Sequence, residues 1–349
     1  MLSKLRVMLC DDSGTVRAAL ARILESDAAI EIVARVADGS QALRALDSAA
    51  AMHRAEVVLL DLEMPVMDGM TVLPRILERK PRPVVIVASA LTQKGAAATM
   101  AALSAGASDY ISKPSAAAGG LNDPVFRADL LAKVKGWARL RDGTARITRP
   151  RPAVVRSRPK VVCIGSSTGG PQALATLVRR LPRKPSVPML LVQHMPAGFT
   201  SMLAEHLSGL GGPKVIEARE GDVLEPGVLF LARGDRHLVA RQVEDRVILH
   251  LSEGPPENYC RPAVDPTLRS LVAVYGGGVL AVILTGMGHD GLAGCRGVSE
   301  AGGAVWAQDE ASSVVWGMPG AVSRAGLVSE QAPPMVLGDT LADVAGVHS

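Results

Sequence analysis

Aromatic residues are scarce in this 349-residue chain, at 3%, which argues against the stacked-ring platforms on which single-stranded nucleic acids lie. Long apolar runs are missing too. None reaches the roughly 18 uncharged residues that a membrane-spanning helix needs. The opening MLSKLRVMLC has neither the apolar core nor the small-residue cleavage site of a secretory signal. Cysteine is limited to Cys10, Cys163, Cys260 and Cys295. They are scattered without CxxC spacing or a paired His-Cys cluster, so neither a zinc site nor a disulfide framework is indicated. These absences together describe a reduced, cytoplasmic protein with no direct membrane insertion.

A chain-wide excess of one charge is also lacking. The net charge is +4, yet residues 141–160 alone hold seven Lys or Arg against one Asp, a local +6 that leaves −2 on the rest. Basicity confined to one segment gives little support for a nucleic-acid-binding surface. That segment carries Pro150, Pro152 and Pro159 and no apolar periodicity, so it reads as an extended, self-repelling linker over 141–159. It separates a first domain, 1–140 with its core at 5–122, from a second at 160–349, in line with the usual 100 to 200 residues per domain.

What is present is apolar content of 48% and 35 glycines, the profile of packed α/β domains with many tight turns. In the first half, LRVML (5–9), VVLL (57–60), VVIVA (84–88) and DYI (109–111) alternate with helical stretches, VRAALARIL (16–24) being the clearest. Such alternation predicts a parallel sheet with helices on both faces. The second half repeats the style in VVCIG (161–165), VPMLLV (187–192) and VLAVILTG (279–286). Between them, PQALATLVRRL places Ala173, Leu174, Leu177, Val178 and Leu181 on one helical face, with Pro171 suited to its first turn. Residues 214–252 (KVIEA, VLFLA, HLVAR, RVILHL) read as an insertion of short antiparallel strands. The expected fold class is α/β, with two doubly wound parallel-sheet domains and a small antiparallel insertion in the second.

Polar residues come directly after the first-half strands. Asp11 and Asp12 end the first, Asp61 ends VVLL, Ser89 ends VVIVA, and Lys113 comes just after DYI. The carboxyl ends of parallel strands are where functional groups gather. Three carboxylates in one crevice repel unless a cation sits among them, and hard oxygen donors suit magnesium. A lysine and a hydroxyl beside them could hold phosphoryl oxygens. Any one such Asp is an ordinary turn former, but five placed positions together are not. Through CDDS, LLDLEMPVMDG, VASA and ISKP the first 120 or so residues resemble a response-regulator receiver domain, flavodoxin-like in fold. The resemblance implies Asp61 as phosphoacceptor and Asp12 as direct Mg2+ ligand, with Asp11 supporting through water and the backbone carbonyl of Glu63 completing the metal set. It further implies Ser89 as switch hydroxyl, Lys113 as phosphate contact and Tyr110 as the aromatic switch residue.

In the second half, Gly165, Ser167 and Gly169 satisfy G-x-S-x-G, a sharp strand-to-helix turn that can expose a serine. GSSTGG supplies neither G-x-G-x-x-G nor a following GK[ST], which excludes a dinucleotide fingerprint and a P-loop. A hydroxyl is a poor nucleophile at neutral pH, so Ser167 needs a base and a group that orients the base. His194 directly follows VPMLLV and Asp290 lies just past VLAVILTG, so all three sit beyond the carboxyl ends of strands. His289 neighbours Asp290 and would point elsewhere. His237 and His250 lie in the presumed insertion and read as structural or surface residues, and His53, His206 and His348 occupy polar or terminal contexts. Asp-Gly is an ordinary turn in its own right, but the glycines of TGMGHDG permit close backbone approach. This makes the Met287 amide an oxyanion donor candidate, with the amide after Ser167, that of Thr168, as a second.

IGSSTGGPQAL, QHMPAGFT, GDRH, RPAVDP, ILTGMGHDG and QDEASSVVWGMP are similar to the catalytic domain of the chemotaxis protein-glutamate methylesterases, the CheB family. This resemblance makes Ser167 the nucleophile, His194 the general base and acid, Asp290 its orienting partner and Met287 a backbone oxyanion donor. Ser166 stands where relatives often carry alanine, which makes its hydroxyl incidental. The implied activity is hydrolysis of glutamate γ-methyl esters on methyl-accepting chemoreceptors with release of methanol, plus deamidation of receptor glutamines. A cognate sensor histidine kinase is the implied phosphodonor, and phosphorylation of Asp61 is expected to relieve a block of the catalytic cleft by the receiver. The esterase chemistry itself calls for no cofactor. Two other readings are a receiver driving a DNA-binding output and a catalytically dead adaptor. The first needs a helix-turn-helix and a basic final domain, neither visible in 160–349, and the intact triad positions count against the second.

Overall fold

The computed structural model describes residues 4–48, 54–90, 92–113, 120–141 and 158–346. Most of the expected linker, Pro114, His53 and His348 fall outside them. The chain divides into two compact units, Met1–Gly143 and Thr144–Ser349.

The first unit runs β1 (Leu5–Cys10), α1 (Gly14–Glu25), β2 (Ile30–Val36), α2 (Gly39–Ser48), β3 (Val57–Asp61), α3 (Gly69–Leu77), β4 (Val84–Ala90), α4 (Gln93–Ser104), β5 (Asp109–Lys113), α5 (Pro124–Arg141). Its five strands lie in the order β2-β1-β3-β4-β5, the doubly wound order whose switch point falls between β1 and β3. The central strands are buried on both faces, as β3 shows over its whole length, which is why they read as continuous apolar runs. Val7, Leu9, Val57, Leu59 and Ile86 pack against Leu20 and Leu24 of α1 and Leu130 and Val134 of α5. Helix starts are fixed by capping: Ser13 Oγ accepts from Val16 N and Asp68 from Thr71 N, each satisfying an otherwise orphaned amide. In this unit β2 is the strand that the apolar-run reading passed over, as it did β13 (Ala304–Gln308) and β14 (Glu330–Ala332) of the second. β2 is an edge strand paired with β1, and its IEIVARV is interrupted by the exposed, charged Glu31 and Arg35.

The second unit continues with β6 (Val161–Ser166), α6 (Gly170–Val178), β7 (Met189–Gln193), α7 (Phe199–Ser208), β8 (Lys214–Glu217), β9 (Val228–Leu231), β10 (His237–Val243) and β11 (Arg246–Ser252). It closes with α8 (Val264–Tyr275), β12 (Val279–Ile283), α9 (Leu292–Glu300), β13 (Ala304–Gln308), α10 (Met318–Arg324), β14 (Glu330–Ala332) and α11 (Pro334–Ala345). Seven strands form a parallel sheet ordered β14-β13-β12-β6-β7-β9-β8.

The antiparallel insertion is therefore half the expected size. Among the strands of the described residues only β10 and β11 pair antiparallel, whereas KVIEA and VLFLA supply β8 and β9, parallel extensions of the main sheet. Short apolar runs carry no direction. The distinguishing mark is burial, since Leu229, Phe230 and Leu231 are enclosed while the far end of β10 is exposed, and enclosure on both faces belongs to parallel sheets. Helix α6 forms where Pro171 and the apolar face predicted it, with Ala173, Leu174, Leu177, Val178 and Leu181 all buried.

Candidate functional sites

At the switch point of the first sheet, Asp11, Asp12 and Asp61 bring carboxylate oxygens within 4.8 Å of one another. Asp11 and Asp61 are buried and Asp12 is exposed. Lys113 Nζ lies 2.7 Å from Asp11 Oδ2 and 2.7 Å from Asp61 Oδ2. One ammonium against three carboxylates leaves negative charge in a partly dry crevice, and the hard oxygen set suits a divalent cation such as Mg2+. Burial pushes the Asp61 carboxyl above its ordinary value; Lys113 opposes that and the Asp11 charge adds to it.

Other expected receiver residues differ in their contacts. Glu63 meets Asp61 through its amide, which donates to Asp61 Oδ1 at 3.3 Å. The Ser89 hydroxyl donates to Gly95 O at 2.9 Å. Tyr110 is buried, with Lys133 Nζ 4.8 Å from its ring centroid.

In the second unit β6 lies between β12 and β7, so the turns after these three strands share one crevice. Ser167, His194 and Asp290 come from those turns. His194 N donates to Ser166 O at 3.1 Å and Ser167 N to Thr285 O at 3.0 Å, which ties the Ser167 turn to both neighbours. His194 Nε2 lies 2.7 Å from Asp290 Oδ2. Asp290 is almost wholly enclosed, at 1% exposure, and accepts further bonds from the amides of Val264 (2.6 Å), Asp265 (3.2 Å) and Gly291 (2.9 Å). Burial alone would push its carboxyl up, but His194 and these amides hold it below its ordinary value. Burial works against a charged His194 as well, yet hydrogen bonds and charge from Asp290 and Cys260 outweigh it and raise the ring to about 10. In the neutral ring, with Nε2–H given to Asp290, the lone pair lies on Nδ1, which faces Cys260 Sγ at 3.3 Å.

The Ser167 hydroxyl has no hydrogen-bond partner among the described residues. Gly169, at φ +76°, turns the chain into α6 after it. Gly286 passes so close that a Cβ there would lie 2.8 Å from Ser167 Cβ. The next amide, Met287 N–H, has no acceptor among the described residues, so a donor stands free beside the serine. Thr168 is buried in the same turn.

Three features were not legible in the motifs. The Ser166 hydroxyl is not incidental: fully buried, it donates to Gln193 Oε1 at 2.6 Å. Gln193 Nε2 in turn donates to Ser167 O (3.0 Å) and His194 O (3.1 Å), so one amide stitches both turns. Asn258 Nδ2 bridges Asp265 Oδ2 and Asp290 Oδ1, and Cys260 Sγ lies 3.3 Å from His194 Nδ1. The adjacency of Gln193 and His194 in QHMP was the available signal for the first pair. Nothing local announced the others. The remaining described histidines sit elsewhere: His237 bonds Pro255 O and Ala263 N, His250 bonds Glu220, His206 lies on α7 and His289 is exposed.

A flavodoxin-like sheet with an acidic switch point, joined in sequence to an α/β unit whose crevice gathers serine, histidine and aspartate, is the layout of a response regulator with a hydrolase-type output domain. Residues 7–121 match the response regulator receiver domain and 162–341 the CheB methylesterase family. The chain belongs to the CheB methylesterase family. An Azospirillum brasilense protein-glutamate methylesterase/protein-glutamine glutaminase is 44% identical, over 95% of this chain and 91% of its own length. A like-named Paramagnetospirillum magneticum protein is 43% identical, over 94% and 93%. The crystal structure of the Thermotoga maritima CheB methylesterase catalytic domain is similar with a TM-score of 0.52 and 39% identity, covering 54% of this chain and all of that one. Among the described residues no helix is long and apolar enough to cross a membrane.

Proposed function

We propose that this protein is a phosphorylation-activated protein-glutamate methylesterase with protein-glutamine glutaminase activity, acting on methyl-accepting chemoreceptors. The carrying observation is the 2.7 Å contact of His194 with Asp290 in the crevice that also holds Ser167. His194 Nδ1 takes the Ser167 proton as Oγ attacks the ester carbonyl, and the Met287 and Thr168 amides receive the oxyanion. One such donor is worth about 10²- to 10³-fold in rate. Methanol leaves with the proton from His194, and water cleaves the glutamyl-serine ester with His194 acting again. Glutamine deamidation proceeds by the same steps with ammonia leaving. Asp290 holds the ring in the Nε2–H form and stabilises the imidazolium.

In the receiver, Asp11, Asp12 and Asp61, with the Glu63 carbonyl, would hold Mg2+. When bound it offsets the charge of the incoming phosphoryl group. Asp61 is the phosphoacceptor, a cognate histidine kinase the donor, and Lys113 and Ser89 the groups that contact phosphoryl oxygens, with Tyr110 reporting the change. Activation requires the phosphoryl group to favour the active arrangement over the resting one. The domains are 1–140 and 160–349, joined by 141–159. The test is methanol release from methylated receptor membranes: release that rises with a phosphodonor and Mg2+ supports the reading, and none under either condition contradicts it.

A further inference from the structure

The segment Asn258–Tyr259–Cys260 touches the His194–Asp290 pair twice from one side. Asn258 and Tyr259 both adopt left-handed backbone, at φ +52° and +63°. This is uncommon for residues with a Cβ and persists where surrounding contacts over-determine it. The effect of the kink is to send alternate side chains inward. Asn258 Nδ2 donates to Asp290 Oδ1 at 3.1 Å and to Asp265 Oδ2 at 3.0 Å, and Cys260 Sγ reaches His194 Nδ1 at 3.3 Å. Tyr259, between them, is 93% exposed. Asp265 is itself fixed, since its Oδ1 accepts from Gly294 N at 2.7 Å, so the Asn258 amide is anchored on both sides.

The chemistry at His194 gives these contacts a consequence. Nε2 is committed to Asp290, so once the ring is neutral Nδ1 carries the lone pair on which a Ser167 proton must land. In the structure that lone pair faces the Cys260 thiol, while the Ser167 hydroxyl has no partner among the described residues. Thiols are weak donors, so Cys260 orients the ring without holding it against a better competitor.

We propose that residues 258–260 are a positioning clamp on the base: Asn258 fixes the Asp290 carboxylate, and Cys260 occupies His194 Nδ1 until the Ser167 hydroxyl takes its place. This rests on Ser167, His194 and Asp290 being the reacting set. Cys260 is a positioning residue, and the serine remains the nucleophile. A corollary is that Cys260 borrows its reactivity from His194. The thiol proton passes to Nδ1 and the thiolate sulfur can then add to an electrophile. Cys10, Cys163 and Cys295 are buried, so an alkylating probe should report on Cys260 first.

The experiment uses the full chain and its Asn258→Ala, Cys260→Ala, Cys260→Ser, His194→Ala and Ser167→Ala variants. Methanol-release kinetics, melting temperature and the rate of N-ethylmaleimide addition to Cys260 by mass spectrometry are measured. Expected are a kcat about tenfold lower in Asn258→Ala with KM unchanged and a several-fold lower kcat in Cys260→Ala, restored in Cys260→Ser. Cys260 alkylation is expected to be at least about tenfold slower in His194→Ala. A Cys260→Ala kcat equal to or above the parent's, or an alkylation rate indifferent to His194→Ala, overturns the clamp. Ser167→Ala separates the failures. If it is inactive while the clamp variants behave as the parent, only the clamp is wrong; if it turns over normally, the underlying reading falls with it.

Discussion

The Ser166 hydroxyl donates to Gln193 Oε1 over 2.6 Å in a fully enclosed site, and the same Gln193 amide binds the carbonyls of Ser167 and His194. The serine beside the nucleophile is thereby part of the frame that sets the distance between nucleophile and base. Ser166→Ala leaves a buried acceptor unpaired, a loss of about 1–3 kcal/mol. The urea midpoint should fall accordingly while turnover persists. An unchanged midpoint would show that the pair contributes nothing.

The pH profile has a definite sign. A protonated imidazole cannot accept the Ser167 proton, so kcat/KM is low while His194 is charged and climbs as the ring loses its proton. Partners raise that ring from 6.5 to about 10 against the opposing effect of burial, so the climb should continue through neutral pH into the alkaline range. Asp290→Asn removes a supporting charge and should move the limb down in pH as well as cutting kcat by about 10³- to 10⁴-fold. The same shift favours the folded state fully below the ordinary histidine value and fades as pH rises through the folded one. An acid limb centred at or below 6.5 in the parent protein would show that Asp290 does not hold the ring in its charged form.

Gly286 tests how tightly the segment after β12 is set against Ser167. An alanine Cβ would press on Met318 Sδ and sit 2.8 Å from Ser167 Cβ. The thioether can swing aside, but the serine stem cannot. Gly286→Ala should lower kcat by about tenfold to a hundredfold through misplacement of the reacting oxygen. Parent-like kinetics would mean that residues 286–287 do not border the reacting group.

At the receiver, acetyl phosphate with Mg2+ should raise methanol release by about tenfold, within the usual range of coupling between sites, and the rise should vanish in Asp61→Asn. Omitting Mg2+ should abolish it in the parent, because Asp11, Asp12 and Asp61 converge within 4.8 Å and Lys113 pairs with Asp11 and Asp61. Stimulation that survives Asp61→Asn would place the phosphoacceptor elsewhere.

Strand-end residues were legible in the sequence because parallel strands are continuous apolar runs, and the residue just past each run must lie at the sheet's carboxyl edge. That logic placed Asp11, Asp61, Lys113, Ser167 and His194 at strand ends and Asp290 in the loop after the third run, while their roles came from the family resemblance. It did not extend to β2, whose charged residues break the run, nor to the orientation of β8 and β9, which depends on partners distant in sequence. Asn258 and Cys260 were invisible for a different reason, and Gln193 was signalled only by its place beside His194. Their importance lies in what they touch across 26, 32 and 66 positions of sequence, and no short-range periodicity encodes such contacts.

The central claim, that Ser167 is the nucleophile, is tested most directly by methanol release from methylated receptor membranes with the parent protein, Ser167→Ala and Ser166→Ala under one phosphodonor. The account predicts no release above background from Ser167→Ala and measurable release from Ser166→Ala. Full release from Ser167→Ala, or loss of release in Ser166→Ala alone, would contradict it.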